Sequence, residues 1–200
     1  MSYKSKEVLL VEKKTLFTTK SIVLTALLAA LTVVGSSLRI TLPIDIGGEN
    51  ASFHLGNIFC ALSGILLGPG YGALAAGIGS AIYDMLNPMF ISEAWITFLT
   101  KAAYGLFAGL IIRCGKDRWG YIRAVLAAAA GAIAYAALYL AKSYFYSGLL
   151  MKGLTAEAAM LSVIGKLPAT AFNAAVAVIF APVLAVAIRT ALEKSRLSLN

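Results

Sequence analysis

The stretch HLGNIFCALSGILLGPGYGALAAGIGSAIYDML, from His54 to Leu86, contains two apolar segments on either side of a Gly-Pro-Gly triplet. The segments cover Phe53–Leu67 and Tyr71–Leu86, and crossing a bilayer takes roughly 20 helical residues. The triplet Gly68–Gly70 has the composition of a tight turn. Both segments are short and rich in glycine, which favours tilted or closely packed helices. The pattern therefore predicts two membrane-spanning helices joined by a tight turn.

The rest of the chain has the same apolar character. Its 200 residues are 60% hydrophobic and 13% charged, whereas soluble domains are about 45–50% apolar and about 25% charged. We predict an all-α membrane protein with six transmembrane helices and one membrane domain. A basic amino-terminal segment (1–20) precedes the six-span bundle (22–191), and a short tail (192–200) follows it. The other predicted spans are Ile22–Leu38, Ala94–Ile112, Ala124–Phe145 and Ser162–Ala191.

Lysine and arginine residues are distributed unevenly between the two sides of the predicted membrane. Twelve of the seventeen fall in the amino-terminal segment, in the connection after the fourth span, or in the tail region. Six spans place these regions on one face, and the positive-inside rule makes that face, with both termini, cytoplasmic. The net charge of +8 follows this placement, which argues against a nucleic-acid partner. The twelve are Lys4, Lys6, Lys13, Lys14, Lys20, Arg113, Lys116, Arg118, Arg123, Arg189, Lys194 and Arg196.

Polar and aromatic side chains collect in the external half of the predicted bundle. On the fifth span, Tyr135, Tyr139, Lys142 and Tyr146 recur at the spacing of one helical face. A charge near the bilayer centre costs about 2.5–3.5 kcal/mol, so such residues normally face the bundle interior or water. The cytoplasmic halves are apolar, which predicts a pocket that opens outward and is closed below. The candidate substrate-binding residues are Asn57, Asp84, Asn87, Glu93, Trp95, Lys101, Tyr104, Tyr135, Tyr139, Lys142, Tyr146, Lys166 and Asn173.

Each charged group in this set also has a purely structural interpretation. Lys142 and Lys166 could extend to the outer headgroups. Lys101 and Asp84 could form an ion pair between neighbouring helices. A single tyrosine or tryptophan could belong to the interfacial aromatic belt, and His54 alone fits a loop residue better than a ligand. The pocket hypothesis depends on the residues taken together.

Two external connections are candidate lids over this pocket. The first, Arg39–Ser52, contains a proline, two glycines and two acidic residues, and the second is Asn87–Glu93. Loops over a site commonly gate it, although an ordinary connection is the alternative for each.

The sequence argues against an enzyme. His54 is the single histidine, and neither a Glu-x-x-His nor a Gly-x-Ser-x-Gly pattern occurs. The two cysteines, Cys60 and Cys114, offer no metal-ligand spacing, and we predict no cofactor. Since the chain also lacks a Walker motif, any ATP hydrolysis must come from a partner. An autonomous carrier or channel stays open as an alternative and would need polar residues through the midplane.

The run His54–Leu86, and above all its Leu67–Asp84 core, resembles the substrate-binding S component of energy-coupling-factor (ECF) importers. Gly165-Lys166-Leu167-Pro168, followed by Asn173, fits the same family, and the likeness covers essentially the whole chain. It is nearest to the riboflavin-type or hydroxymethylpyrimidine-type branch. The resemblance implies a multi-pass protein of the bacterial plasma membrane that binds a vitamin or related micronutrient at the outer side. It also implies a transmembrane coupling subunit, two cytoplasmic ATPases, and delivery by toppling in the bilayer.

The resemblance further implies a docking surface for the coupling subunit on the first span. The family's Ala-x-x-x-Ala motif is matched by Ala26 and Ala30, with Ala29 beside them, and small residues let helix backbones approach closely.

The substrate is less well defined. Aromatic rings together with both charge signs suit a flat heteroaromatic ring that carries polar groups. A flavin- or pyrimidine-type vitamin is favoured, and a queuosine precursor, a pyridoxine-type vitamer and a corrinoid stay open.

Overall fold

The computed structural model describes residues 19–45, 50–114 and 120–194, which form six α-helices, one β-hairpin, one 3-10 helix (Ile91–Glu93) and one π-helix. Each α-helix corresponds to one predicted span, so the predicted all-α fold with six helices is confirmed. Of the twelve basic residues that set the predicted orientation, those at 4, 6, 13, 14, 116, 118 and 196 lie outside the described residues. The helices are α1 (Thr19–Ser37), α2 (Gly56–Leu67), α3 (Pro69–Met85), α4 (Ala94–Arg113), α5 (Tyr121–Lys142) and α6 (Ala156–Lys194).

Four helical segments of the described chain are long and apolar enough to cross a membrane. The second and third helices are shorter, with 12 and 17 residues. At 1.5 Å per residue, α2 covers roughly 18 Å of a hydrocarbon core that is about 30 Å thick. The four segments are Thr19–Ser37, Ile91–Arg113, Tyr121–Met151 and Ala156–Leu192.

A β-hairpin connects α1 to α2. Strand β1 (Arg39–Asp45) pairs with strand β2 (Asn50–His54) in antiparallel register, with Arg39 opposite His54. The second span was predicted to begin at Phe53; this was wrong by three residues, because Phe53 and His54 pair with β1 and α2 begins at Gly56. Residues 46–49 of the predicted first lid lie outside the described part of the chain.

The ends of the fifth and sixth helices also differ from their predicted bounds. A π-helix (Ser143–Met151) continues α5 beyond Lys142. Helix α6 has 39 residues and continues through Pro168 and Pro182. It begins at Ala156, six residues before the predicted start.

The bundle has two different ends. The hairpin end carries β1 and β2, and the opposite end carries the turn at Gly68, whose φ of +80° suits glycine. Pro69 then occupies the first turn of α3, where its fixed φ favours a helix start. The tight turn predicted here is confirmed. Arg113 of α4 lies beside Gly68 and donates to the Leu67 carbonyl at 3.4 Å.

Glycines allow α2, α3 and α4 to approach one another closely near the opposite end of the bundle. A Cβ on Gly105 would lie 2.3 Å from the Gly72 carbonyl oxygen, and one on Gly64 would lie 2.5 Å from the Gly105 carbonyl oxygen. A Cβ on Gly109 would lie 2.3 Å from the Pro69 nitrogen. Backbone therefore lies against backbone, as is typical where small residues form the contacts of membrane helices.

Candidate functional site

The centre of the candidate site is Lys101, eight residues into α4. Its ammonium group donates to the side-chain oxygen of Asn57 at the start of α2. The same nitrogen lies 3.9 Å from the ring centroid of Tyr135 on α5, a cation–π contact. Lys101 is 5% exposed and Asn57 is 2% exposed, so three helices bury a cation against an amide and an aromatic ring.

Three tyrosines form a continuous stack beside Lys101. The ring centroids of Tyr104 and Tyr135 are 5.6 Å apart, and those of Tyr135 and Tyr139 are 5.5 Å apart, with interplanar angles of 22° and 26°. Tyr104 is fully buried, because Gly131 on α5 has no side chain and lets the ring approach. Two further cations lie near the Tyr139 end of the stack: Lys142 at 6.0 Å and Lys166 at 5.8 Å from its ring centroid.

A second layer of polar contacts lies nearer the hairpin end of α4 and α5. Glu93 precedes α4 and forms an ion pair with Lys142 at 2.6 Å, and it accepts a hydrogen bond from Ser147 at 2.6 Å. Eight residues separate Glu93 from Lys101, so the two layers are roughly 12 Å apart along α4. The π-helix brings Ser147 to Glu93, and it also places Ser143 3.3 Å from the Lys166 nitrogen.

The structure resolves two of the alternative interpretations. Within the described residues, Lys101 and Asp84 do not form an ion pair, since Lys101 contacts Asn57 and Tyr135. Asp84 is buried at the end of α3, where it interacts with Thr97 and, at longer range, with Lys142 and Lys101. Lys142 forms an ion pair with Glu93, and its side chain is buried in the bundle.

Asn173 of α6 contacts the hairpin through both the oxygen and the nitrogen of its side-chain amide. Its oxygen accepts from the His54 backbone N–H at 3.1 Å, and its nitrogen donates to the Ser52 carbonyl at 3.0 Å. The rings of Phe53 and Phe172 meet beside this contact, with centroids 4.4 Å apart. Asn173 was predicted as a substrate contact, and in the structure its side chain contacts the backbone of β2.

Arg39 ties the hairpin to the other predicted lid. It donates to Ser52 and lies 4.7 Å from the ring centroid of Phe90, which belongs to the connection between α3 and α4. His54, the last residue of β2, is half-buried, and burial, together with the nearby charges of Lys101 and Arg39, lowers its pKa to about 3. His54 is therefore uncharged at neutral pH.

Three predicted residues lie at the rim of the cluster or outside it. Trp95 is 57% exposed, and its ring meets Tyr146 edge-on at 5.5 Å with a 3.4 Å contact between indole nitrogen and hydroxyl. Tyr146 also donates to the Ser92 carbonyl at 3.3 Å. Asn87 lies in the turn after α3, where its backbone N–H donates to the backbone carbonyl of Asp84.

Four residues of the cluster were missed in the sequence: Arg39, Thr97, Ser143 and Ser147. Thr97 lies one turn before Lys101 on α4, and this spacing was the available signal. The two serines face the cluster because of the π-helix, and Arg39 because of the hairpin; neither element was foreseen.

A shallow depression of about 480 Å³ lies elsewhere, between the π-helix and the start of α6. Its lining is almost entirely apolar, and none of the predicted site residues contributes to it. The polar cluster carries the chemistry, and its side chains pack directly against one another. The depression is lined by Tyr144, Ala156, Glu157, Met160, Leu161 and Ile164.

The predicted docking residues on α1 divide between two faces. Ala29 is buried against α3, where a Cβ on Gly79 would lie 2.4 Å from its carbonyl oxygen. Ala26 and Ala30 are both exposed. The surface of α1 therefore offers Ala26 and Ala30, while Ala29 belongs to the bundle interior.

Comparison with known proteins places this architecture in a family. The family model described as "ECF-type riboflavin transporter, S component" matches residues 16–190. A relative from Pyrococcus woesei, described as "Uncharacterized protein in gap 3'region", is 30% identical over 119 residues, which is 60% of this chain and 74% of the relative. S components are membrane transport subunits that bind vitamin-like substrates and work with a membrane coupling subunit and ATPases. The chain belongs to the family of S components of ECF-type riboflavin transporters.

Proposed function

We propose that this chain binds a flat heteroaromatic vitamin, of the riboflavin or pyrimidine type, between its hairpin end and the tyrosine stack. The hairpin end faces outward, and both termini lie on the cytoplasmic side of a bacterial plasma membrane. Release into the cell requires a coupling subunit and two cytoplasmic ATPases. The observation that carries this proposal is the one-sided distribution of the polar side chains, which are buried in layers toward the hairpin end.

The opposite half of the bundle supports binding rather than a pore. Close backbone contacts among Gly64, Gly72 and Gly105 fill the space between α2, α3 and α4. A channel or a self-sufficient carrier needs polar lining across the midplane to the other side. Delivery by movement of the whole subunit in the membrane needs no such path.

The stacked tyrosines favour an aromatic ligand. Ring faces prefer offset stacking with other rings, and small-molecule sites combine aromatic walls with a few polar groups that fix orientation. Tyr135 and Tyr139 supply the faces, and Lys101 with Asn57 supplies the polar anchor at their edge. The proposed site also includes Asp84, Tyr104, Lys142 and Lys166.

The hairpin and the Asn87–Glu93 connection are the proposed lids. Asn173 fastens the hairpin through two hydrogen bonds, and Glu93 fastens the connection to Lys142 and Ser147. Within the described residues, these polar contacts and the Phe53–Phe172 ring contact involve few side chains, so each lid can open without unfolding a helix.

We expect Tyr139→Phe to weaken ligand binding by about tenfold, because one hydrogen bond to a polar ligand group is lost. The protein is purified from cells grown in rich medium, and native mass spectrometry identifies the bound molecule. That molecule is then titrated into wild type and variant. Tyr121→Phe is the matched control, because Tyr121 is exposed at the opposite end. Unchanged affinity in Tyr139→Phe would remove this hydroxyl from the site, and the mass of the molecule separates flavins and pyrimidines from the other candidate ligands.

Uptake experiments separate the proposal from an autonomous carrier. Cells that produce this chain together with a coupling subunit and both ATPases should accumulate the labelled ligand, and cells that produce the chain alone should not. Accumulation by the chain alone would show that it transports without partners and would overturn the proposal.

The double substitution Ala26→Leu/Ala30→Leu should abolish assembly with the coupling subunit while ligand affinity stays unchanged. Leucine at both positions prevents close approach of a partner helix. Co-purification of the coupling subunit is the measurement. Ala137→Leu/Ala141→Leu, at the same spacing on an exposed face of α5, is the control. An intact complex in the α1 double variant would refute this docking surface.

A further inference from the structure

The charges around the tyrosine stack are unequal. Among the described residues, three lysines lie against the rings of the stack, Arg39 lies nearby against Phe90, and two carboxylates face these cations. Both carboxylates already have partners: Glu93 is held by Lys142 and Ser147, and Asp84 interacts with Thr97. The four cations are Arg39, Lys101, Lys142 and Lys166.

Lys101 is the most deeply buried of the four cations, and its contacts are neutral. It is 5% exposed, and the described residues place the Asn57 amide oxygen and the Tyr135 ring face against its nitrogen, with no carboxylate within 4.0 Å. An amide and a ring offset only part of the cost of burying an ammonium group, which normally finds an anionic partner. The site therefore has a position at Lys101 that a negative group would complete.

Among the described residues, no neighbouring side chain places a carboxylate within 4.0 Å of Lys101, and Asp84 interacts with it only at longer range. Tyr104 and Tyr135 present a buried phenol and a ring face, and His54, the last residue of β2, is uncharged at neutral pH. Glu93 lies in the other layer, roughly 12 Å away along α4. A bound ligand can supply the negative group at this position.

We propose that the ligand is an anionic heteroaromatic compound, whose carboxylate or phosphate pairs with Lys101 while its ring lies along Tyr135 and Tyr139. This inference rests on the proposed function and narrows its substrate class. An anionic group would take the place of the Asn57 oxygen or share the ammonium with it. It would gain a charge-assisted hydrogen bond, which is stronger than a neutral one.

Matched pairs of ligands with the same ring test this charge preference. Nicotinate against nicotinamide isolates a carboxylate, and flavin mononucleotide against riboflavin isolates a phosphate. Affinities are measured by isothermal titration calorimetry on the purified full-length protein. We expect the acid of at least one pair to bind at least tenfold more tightly than its neutral counterpart. The pair that shows the preference distinguishes carboxylate from phosphate.

Lys101→Met should weaken the binding of that acid by at least tenfold more than the binding of its neutral counterpart, so that the preference is lost. Lys101→Arg should keep the preference, and Lys20→Met, which removes an exposed lysine at the opposite end of α1, should change neither affinity. If the methionine variant does not fold, the wild-type comparison and the arginine variant still decide the question.

Two results would overturn this inference. One is equal or tighter binding of the neutral member in both pairs, and the other is the failure of both acids to bind at about 1 mM. If a neutral ligand binds and is taken up only together with the coupling subunit, the inference on charge fails and the proposed function stands. Uptake without the coupling subunit would refute the proposed function, whichever pair member binds.

Discussion

Gly105→Leu is expected to prevent the bundle from folding. A Cβ at this position would lie 2.3 Å from the Gly72 carbonyl oxygen and 2.6 Å from its carbonyl carbon. The obstructing atoms are backbone, so a change of side-chain rotamer cannot relieve the clash. Overpacking of an adaptable core typically costs about 1–3 kcal/mol, and we expect a destabilisation of about 4 kcal/mol or more at this rigid site. The measurement is the yield of monodisperse protein in detergent, with the melting temperature of any folded fraction.

Gly70→Leu is the matched control for this prediction. Gly70 lies in the first turn of α3, and a Cβ there would meet nothing within 4 Å. We expect this variant to fold with a near-normal melting temperature. A Gly105→Leu protein that melts like wild type would contradict the close approach of α3 and α4.

Glu93→Gln is expected to lower the free energy of unfolding by about 2 kcal/mol, between the values for exposed and for buried ion pairs. The loss arises because Lys142, whose side chain is 7% exposed, would keep its charge without the carboxylate 2.6 Å away. Thermal unfolding in detergent is the measurement. The same variant should release the Asn87–Glu93 connection and accelerate ligand dissociation.

A double-mutant cycle isolates this ion pair. Adding Lys142→Met to Glu93→Gln should cost less than Lys142→Met alone, because the partner charge is already gone. Glu157→Gln is the control, since Glu157 is exposed near the start of α6. Additive effects of the two substitutions would show that the pair contributes nothing to stability.

The helices could be predicted because their cause is local. The chain consists of long apolar segments near bilayer length, and Gly68 and Pro69 mark one of the breaks between them. In lipid, such segments form α-helices because a helix satisfies its backbone hydrogen bonds internally. The one-sided placement of polar residues could also be predicted, because the helical repeat brings Tyr135, Tyr139 and Lys142 toward one face.

The contacts that shape the site could not be predicted, because they join distant parts of the chain. Lys101 was paired in one interpretation with Asp84, and its actual partner is Asn57, 44 residues away. Asn173 reaches the hairpin across more than 100 residues. For both Lys101 and Asn173, the sequence offered several polar side chains at a similar predicted depth in the membrane as partners. Only the packing of the helices determines which partner each one contacts.

Two local elements were also missed, for a different reason. Pro43 and the glycines at 47 and 48 made Arg39–Ser52 look like an irregular loop, although Ile40 and Thr41 favour a strand. The π-helix at Ser143–Met151 follows a regular α-helical pattern without interruption in composition. Its wider turn depends on tertiary contacts such as those of Ser147 with Glu93 and Ser143 with Lys166.

The glycine contacts among α2, α3 and α4 also imply a gradient of stiffness along the bundle. At the opposite end, backbone atoms touch directly, so few side-chain rearrangements are available to accommodate motion. At the hairpin end, amides, lysines and one ion pair join the elements, and each can exchange partners. We therefore expect ligand entry to change the conformation of the hairpin end alone. The opposite end should keep the same backbone structure with and without ligand.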